Sequence, residues 1–137
     1  MALCGAGARL RIFKTRWFTR FARDERIADS SLSQAVTRAG QGLIDADLGG
    51  GVIKQRVARA GQGRSGGYRV LLAYRRGHRA VFIYGFAKRE RENIEADELK
   101  TLREIASGWL AADAQRMNEA LNQGALKEVP NEEDKET

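Results

Sequence analysis

The residues of this sequence best equipped for chemistry are cations, and they recur near the ends of one set of predicted strands. Lys54 and Arg56 alternate with other residues in Val52–Ala58, Arg69 follows the opening residue of Tyr68–Tyr74, and Lys88-Arg89-Glu90-Arg91 follows Ala80–Phe86. Residues two apart in a strand share a face, and in an antiparallel sheet the end of one strand lies near the start of the next. These two rules bring Lys54, Arg56, Arg69, Lys88 and Arg89 to one edge of a sheet. Arg59 and Arg64 join them on the loop Arg59–Gly67, whose four glycines let backbone N–H groups follow a phosphate chain. Arginine stays ionised and grips phosphate with paired hydrogen bonds, so such a cluster can hold a nucleic-acid backbone and stabilise charge that builds on it. One reaction needs little else: a ribose 2′-OH attacks the adjacent phosphate and the 5′-oxygen leaves. Positive neighbours make a lysine easier to deprotonate, which makes Lys54 the candidate general base. The same cations could instead hold nucleic acid or an acidic protein without cutting anything, and spacing alone leaves both readings open.

Other chemistries find little support. The one histidine, His78, falls in the predicted turn Arg75–Arg79, at an exposed tip. A lone Cys4 forms neither an internal disulfide nor a zinc cluster, and a cytoplasmic protein is the default. The sequence has no HExxH motif and no close carboxylate pair, so neither a metal nor a cofactor is expected. Gly49-Gly50-Gly51 lacks the GK[ST] ending of a phosphate-binding loop and reads as a tight entry into a strand. The longest apolar run, Val70–Tyr74, is far too short to cross a membrane.

Charge points the same way as the cation cluster. The 137 residues carry 24 basic and 18 acidic side chains, a net of +6. Met1–Ala80 holds 16 basic and 5 acidic residues (+11), whereas Val81–Thr137 holds 8 and 13 (−5). An anion-binding surface built mainly from the first part follows from that division.

The elements that must position these residues are legible from periodicity. Arg9–Phe13 alternates as a short strand, and Thr15 caps a helix whose Phe18, Phe21 and Ala22 share a face. Trp17 and Phe21, one turn apart, read as core rather than as a base-stacking platform. Asp29-Ser30-Ser31 offers a second cap, followed by Leu32, Ala35, Val36, Ala39 and Leu43 at helical steps. Toward the end, Asp97 caps a helix bearing Leu99, Leu102, Ile105, Ala106, Trp109 and Leu110, and Asp113 caps another that stops at Gly124. One domain over residues 9–129 is expected, between a flexible leader (1–8) and a disordered acidic tail (130–137).

Several ordered segments resemble the RelE/ParE toxin superfamily of bacterial toxin–antitoxin modules, and the RelE-type toxins in particular. They are Phe13–Phe18, Gly42–Gly51, Lys54–Arg59, and the run Gly67-Tyr68-Arg69-Val70 through Gly85-Phe86-Ala87-Lys88-Arg89-Glu90-Arg91. The resemblance spans about residues 10–129. It implies an α+β fold in which a small antiparallel sheet packs against two N-terminal helices, with a C-terminal helical segment. The activity it implies is metal-independent, ribosome-dependent cleavage of mRNA, neutralised by a cognate antitoxin of the helix-turn-helix kind. Non-catalytic inhibition of DNA gyrase, the ParE activity, is the alternative. Carried over by position, the family's catalytic cations fall on Lys54, Arg56, Arg69 and Arg89, and the neighbouring cations Arg59, Arg64, Lys88 and Arg91 are the candidate RNA contacts around them. Two departures stand out. The Arg59–Gly67 loop is longer than in the best-known RelE toxins, and the position of a tyrosine implicated in proton transfer holds Glu95, a second candidate base.

Overall fold

The computed structural model describes residues 10–58, 67–91 and 93–131. The chain begins with strand β1 (Arg11–Thr15), then helices α1 (Arg16–Glu25) and α2 (Asp29–Gly40). Four strands follow: β2 (Ala46–Gly49), β3 (Val52–Val57), β4 (Tyr68–Arg75) and β5 (Arg79–Ala87). Helices α3 (Ala96–Ala111) and α4 (Ala114–Gln123) precede a last strand, β6 (Leu126–Val129). The six strands form one sheet in the order β2-β3-β4-β5-β1-β6.

The architecture is α+β, and the sheet is antiparallel except at one pair. β1 runs parallel to β5, from Arg11 opposite Arg79 to Lys14 opposite Phe82. After β1 the chain packs two helices against the sheet before it returns as the β2–β5 meander, and such a crossover lets first and last strands align. β6 then pairs antiparallel with the outer side of β1. The edge strands β2 and β6 have four residues each, too short for an alternating pattern to stand out. At β5 the register shifts between Phe82, opposite Leu72, and Tyr84, opposite Leu71, so Ile83 is an extra residue.

Alternation along the strands gives the sheet two apolar faces. Ile12, Ile53, Val57, Val70, Leu72 and Phe82 pack with Phe18 and Ala22 of α1 and Leu32, Ala35 and Val36 of α2. On the opposite face, Phe13, Val52, Leu71, Ala73, Val81 and Ile83 pack with Leu102, Ala106 and Leu110 of α3 and with Met117 and Ala120 of α4. The C-terminal helices therefore cover the face that α1 and α2 leave bare.

Helix termini follow local chemistry, with exceptions that have physical reasons. Thr15 Oγ1 accepts from the Phe18 N–H at 3.2 Å and Asp113 Oδ1 from the Arg116 N–H at 2.8 Å, as N-caps do. Gly124 ends α4 at φ +77°. Asp29 is no cap: it lies inside the first turn of α2, and its carboxylate takes the Lys14 ammonium at 2.8 Å. The N-cap of α3 is Glu95, two residues before Asp97. Leu43 lies beyond the end of α2 and is exposed, because the helix stops at Gly40. Ile105 points outward from α3.

Candidate functional site

β3 and β4 place the predicted cations directly. Lys54 and Arg56 share a face with Val52, the face that α3 and α4 cover farther along the sheet. In the β3–β4 ladder Lys54 stands opposite Leu71 and Arg56 opposite Arg69. In the β4–β5 ladder Arg69 stands opposite Phe86, and Leu71 opposite Tyr84. Two adjacent rows result: Arg56–Arg69–Phe86, and inside it Lys54–Leu71–Tyr84. Directly opposed residues keep Cβ atoms about 4.5–5.5 Å apart, and like charges so placed oppose folding. Two arginines at opposed positions on adjacent strands are the kind of local conflict that marks a functional surface.

The members of the row differ in surroundings. Arg69 is 7 % exposed, Arg56 lies on the surface, and Lys54 is half-buried. Arg56 Nε is 4.0 Å from Asp45 Oδ1, and the Arg56 N–H donates to the same carboxylate, so Asp45 completes the β3 edge where β2 has ended. The α2–β2 connection that carries Asp45 is pinned by buried Gln55. Its side-chain oxygen accepts from the Asp45 N–H at 2.8 Å, and its amide donates to the Ala35 carbonyl at 2.9 Å and the Leu43 carbonyl at 3.1 Å. Arg38 donates to the Arg56 carbonyl from α2.

At the other end of the row, the turn after β5 carries Lys88 and Arg89, both exposed. The Lys88 N–H donates to the Gly67 carbonyl at 3.1 Å, which ties that turn to the start of β4. Arg91 comes back over the sheet. Its guanidinium lies 5.5 Å from the Phe86 ring centre, donates to Tyr84 Oη at 3.4 Å, and meets both Glu98 oxygens at 3.2 and 2.6 Å. The Glu98 hydrogen bond holds Arg91 above its ordinary pKa. Arg91, and next the Glu95 N–H at 2.9 Å, hold the Glu98 carboxyl below the usual range. Helix α3 thus begins beside Tyr84. It then runs away from the basic row: Arg103 reaches the Leu48 carbonyl, and Leu110 lies against Gly51.

The structure brings together Lys54, Arg56 and Arg69 on one face, with Lys88 and Arg89 at the same sheet end and Arg91 stacked over Phe86. Arg59 and Arg64 lie outside the described residues. Glu95 is exposed at the α3 N-terminus. Two carboxylates that meet these arginines, Asp45 at Arg56 and Glu98 at Arg91, are ones the sequence did not single out. His78 is in the β4–β5 turn at the opposite sheet end, and burial with the neighbouring Arg79 and Arg75 keeps its pKa below normal. Sequence reasoning missed Asp45, Tyr84, Phe86 and Glu98. Tyr84 and Phe86 were signalled only as members of a strand. Glu98 carried a local signal only as the third residue after Glu95, and the sequence reading placed the cap at Asp97 instead. Among the described residues no cluster of His, Cys, Asp or Glu is arranged to hold a metal ion, and no helix is long and apolar enough to cross a membrane.

A model of the family described as the RelE toxin of the RelE / RelB toxin-antitoxin system matches residues 10–129. No curated protein matches the chain. The family match covers most of the sequence, and the chain belongs to the RelE toxin family.

Proposed function

We propose that this RelE-family toxin is a metal-independent endoribonuclease that cuts mRNA on the ribosome in the cytoplasm and is silenced by its cognate antitoxin. The observation that carries the reading is the Arg56–Arg69 pair, two arginines at directly opposed positions on one sheet face, with Lys54 two residues away on the same face. A scissile phosphate seated on this row meets paired donors as negative charge grows on its oxygens. Lys54, as general base, takes the proton from the ribose 2′-OH, the 2′-oxygen bonds to phosphorus, and the bond to the 5′-oxygen breaks. The leaving oxygen collects a proton from water, so the products are a 2′,3′-cyclic phosphate and a 5′-hydroxyl. Arg89 and Lys88 extend the positive field along the strand, and Arg91, held by Glu98 over Phe86, closes the row at its β5 end.

Inducible expression tests the reading. The wild type arrests growth and leaves transcripts with discrete cut sites, mapped by primer extension, whereas Arg69→Ala leaves growth and transcripts intact. Growth arrest with uncut mRNA, or inhibition of gyrase supercoiling by the purified protein, overturns it.

A further inference from the structure

β5 extends beyond its partner β1, because the parallel ladder ends at Lys14 opposite Phe82. Trp17, in the first turn of α1, fills the edge left uncovered there. Its ring stacks on Tyr84 at 4.7 Å and 28°, and on Phe21 at 5.4 Å and 15°. Trp17 is nevertheless 45 % exposed, which the expectation of a core aromatic did not foresee. The exposed part of an indole beside an arginine offers a contact to a flat, negatively charged ligand. Arg91, which pairs with Glu98, also bonds the hydroxyl of the very tyrosine on which Trp17 stacks, and Arg20 is exposed one turn along α1. Across the sheet the sequence of groups is therefore Arg56, Arg69, Phe86 under Arg91, then Tyr84 and Trp17. A row of phosphate-binding cations leads directly to an exposed aromatic step.

Single-stranded RNA has that alternation of phosphate and flat ring, and unpaired bases bind by stacking on aromatic side chains beside arginine. We propose that Trp17, supported by Tyr84, is a nucleobase subsite for the RNA strand whose phosphates occupy the basic row. The proposal rests on the RNA-cleaving reading above and adds where the strand goes after it leaves Arg69.

Trp17 and Trp109 are the only two tryptophans, so a Trp109→Phe protein reports on Trp17 alone. The probe is a six-nucleotide single-stranded RNA with 2′-O-methyl riboses, which cannot be cleaved by its own 2′-hydroxyls. Its control is an abasic oligomer of equal length and charge. RNA is expected to quench Trp17 emission, the abasic oligomer to bind with little quenching, and Trp17→Ala to weaken RNA binding roughly ten-fold while leaving the abasic oligomer unchanged. Equal quenching by both oligomers, equal loss of both in Trp17→Ala, or quenching by the antitoxin but not by RNA overturns the subsite. The quenching arm keeps Trp17 in place, so it stands even where Trp17→Ala fails to fold. Quenching by RNA in a protein that leaves transcripts uncut upholds the subsite and removes the nuclease, whereas cut transcripts without quenching do the reverse.

Discussion

The two faces of the sheet are built from the same strands yet end differently. The face under α1 and α2 carries apolar residues to the end of the strands, from Phe82 and Leu72 in the centre to Val57 and Tyr68 at the end of the β3–β4 ladder. The polar Gln55 among them is buried and fully hydrogen-bonded. On the face under α3 and α4 the apolar residues give way to cations at the β3–β4 end, where Lys54 stands opposite Leu71 and Arg56 opposite Arg69. Helix coverage explains the difference. α3 starts at the level of Tyr84, where Glu98 holds Arg91 over Phe86, and runs back toward Gly51, away from Arg56 and Arg69. A closed face supplies rigidity, and the same strands then hold cations on the open end of the other face in fixed register, which is what electrostatic catalysis requires.

Phe82→Ala should show the largest effect on the closed face. Its ring is fully buried and lies 5.2 Å from Phe18, so its loss should lower unfolding free energy by about 3–5 kcal/mol in a denaturant titration. RNA cleavage per folded molecule should be unchanged, and a selective loss of cleavage would blur the division between the faces. Gly51→Ala probes the helix-covered part of the second face. Gly51 has φ +85°, and an added Cβ would stand 2.7 Å from Leu110 Cδ1, so a cost of about 1–3 kcal/mol is expected, again measured by denaturation. The smallest effect concerns the latch where helix meets basic row. The folded pKa of Glu98 is below its unfolded value, so the Arg91–Glu98 pair stabilises above the ordinary glutamate range and is lost as pH falls through the folded value. Glu98→Gln should therefore melt at a lower temperature than wild type near neutral pH, and the gap should close in acid. A gap that is constant with pH would remove the latch from the account.

How much of this was legible in the sequence also divides by region. Strands β3, β4 and β5 announce themselves by runs of apolar and β-branched residues, and local pairing across short connections then brings Lys54, Arg56 and Arg69 together. Thr15, Asp113 and Gly124 mark helix ends through contacts within a few residues. The pairings that escaped are the distant ones. β1 finds β5 across more than sixty residues, and nothing local marks four-residue edge strands such as β2 and β6. Trp17 misled because helical periodicity reports which residues share a face. It does not report where a neighbouring strand ends. Glu98 and Asp45 were hidden for a similar reason, since each matters only through the tertiary partner that it meets, Arg91 and Arg56.

Lys54 offers the most direct measurement of the central claim, because no hydrogen bond or ion pair holds it among the described residues and methionine keeps a stem of similar length beside Leu71. Purified wild type and Lys54→Met are added to ribosomes translating a defined mRNA, and cleavage rate is followed alongside thermal unfolding. The account predicts an unchanged unfolding temperature with cleavage slowed by about 10²–10⁴-fold. Equal cleavage by the two proteins would contradict it.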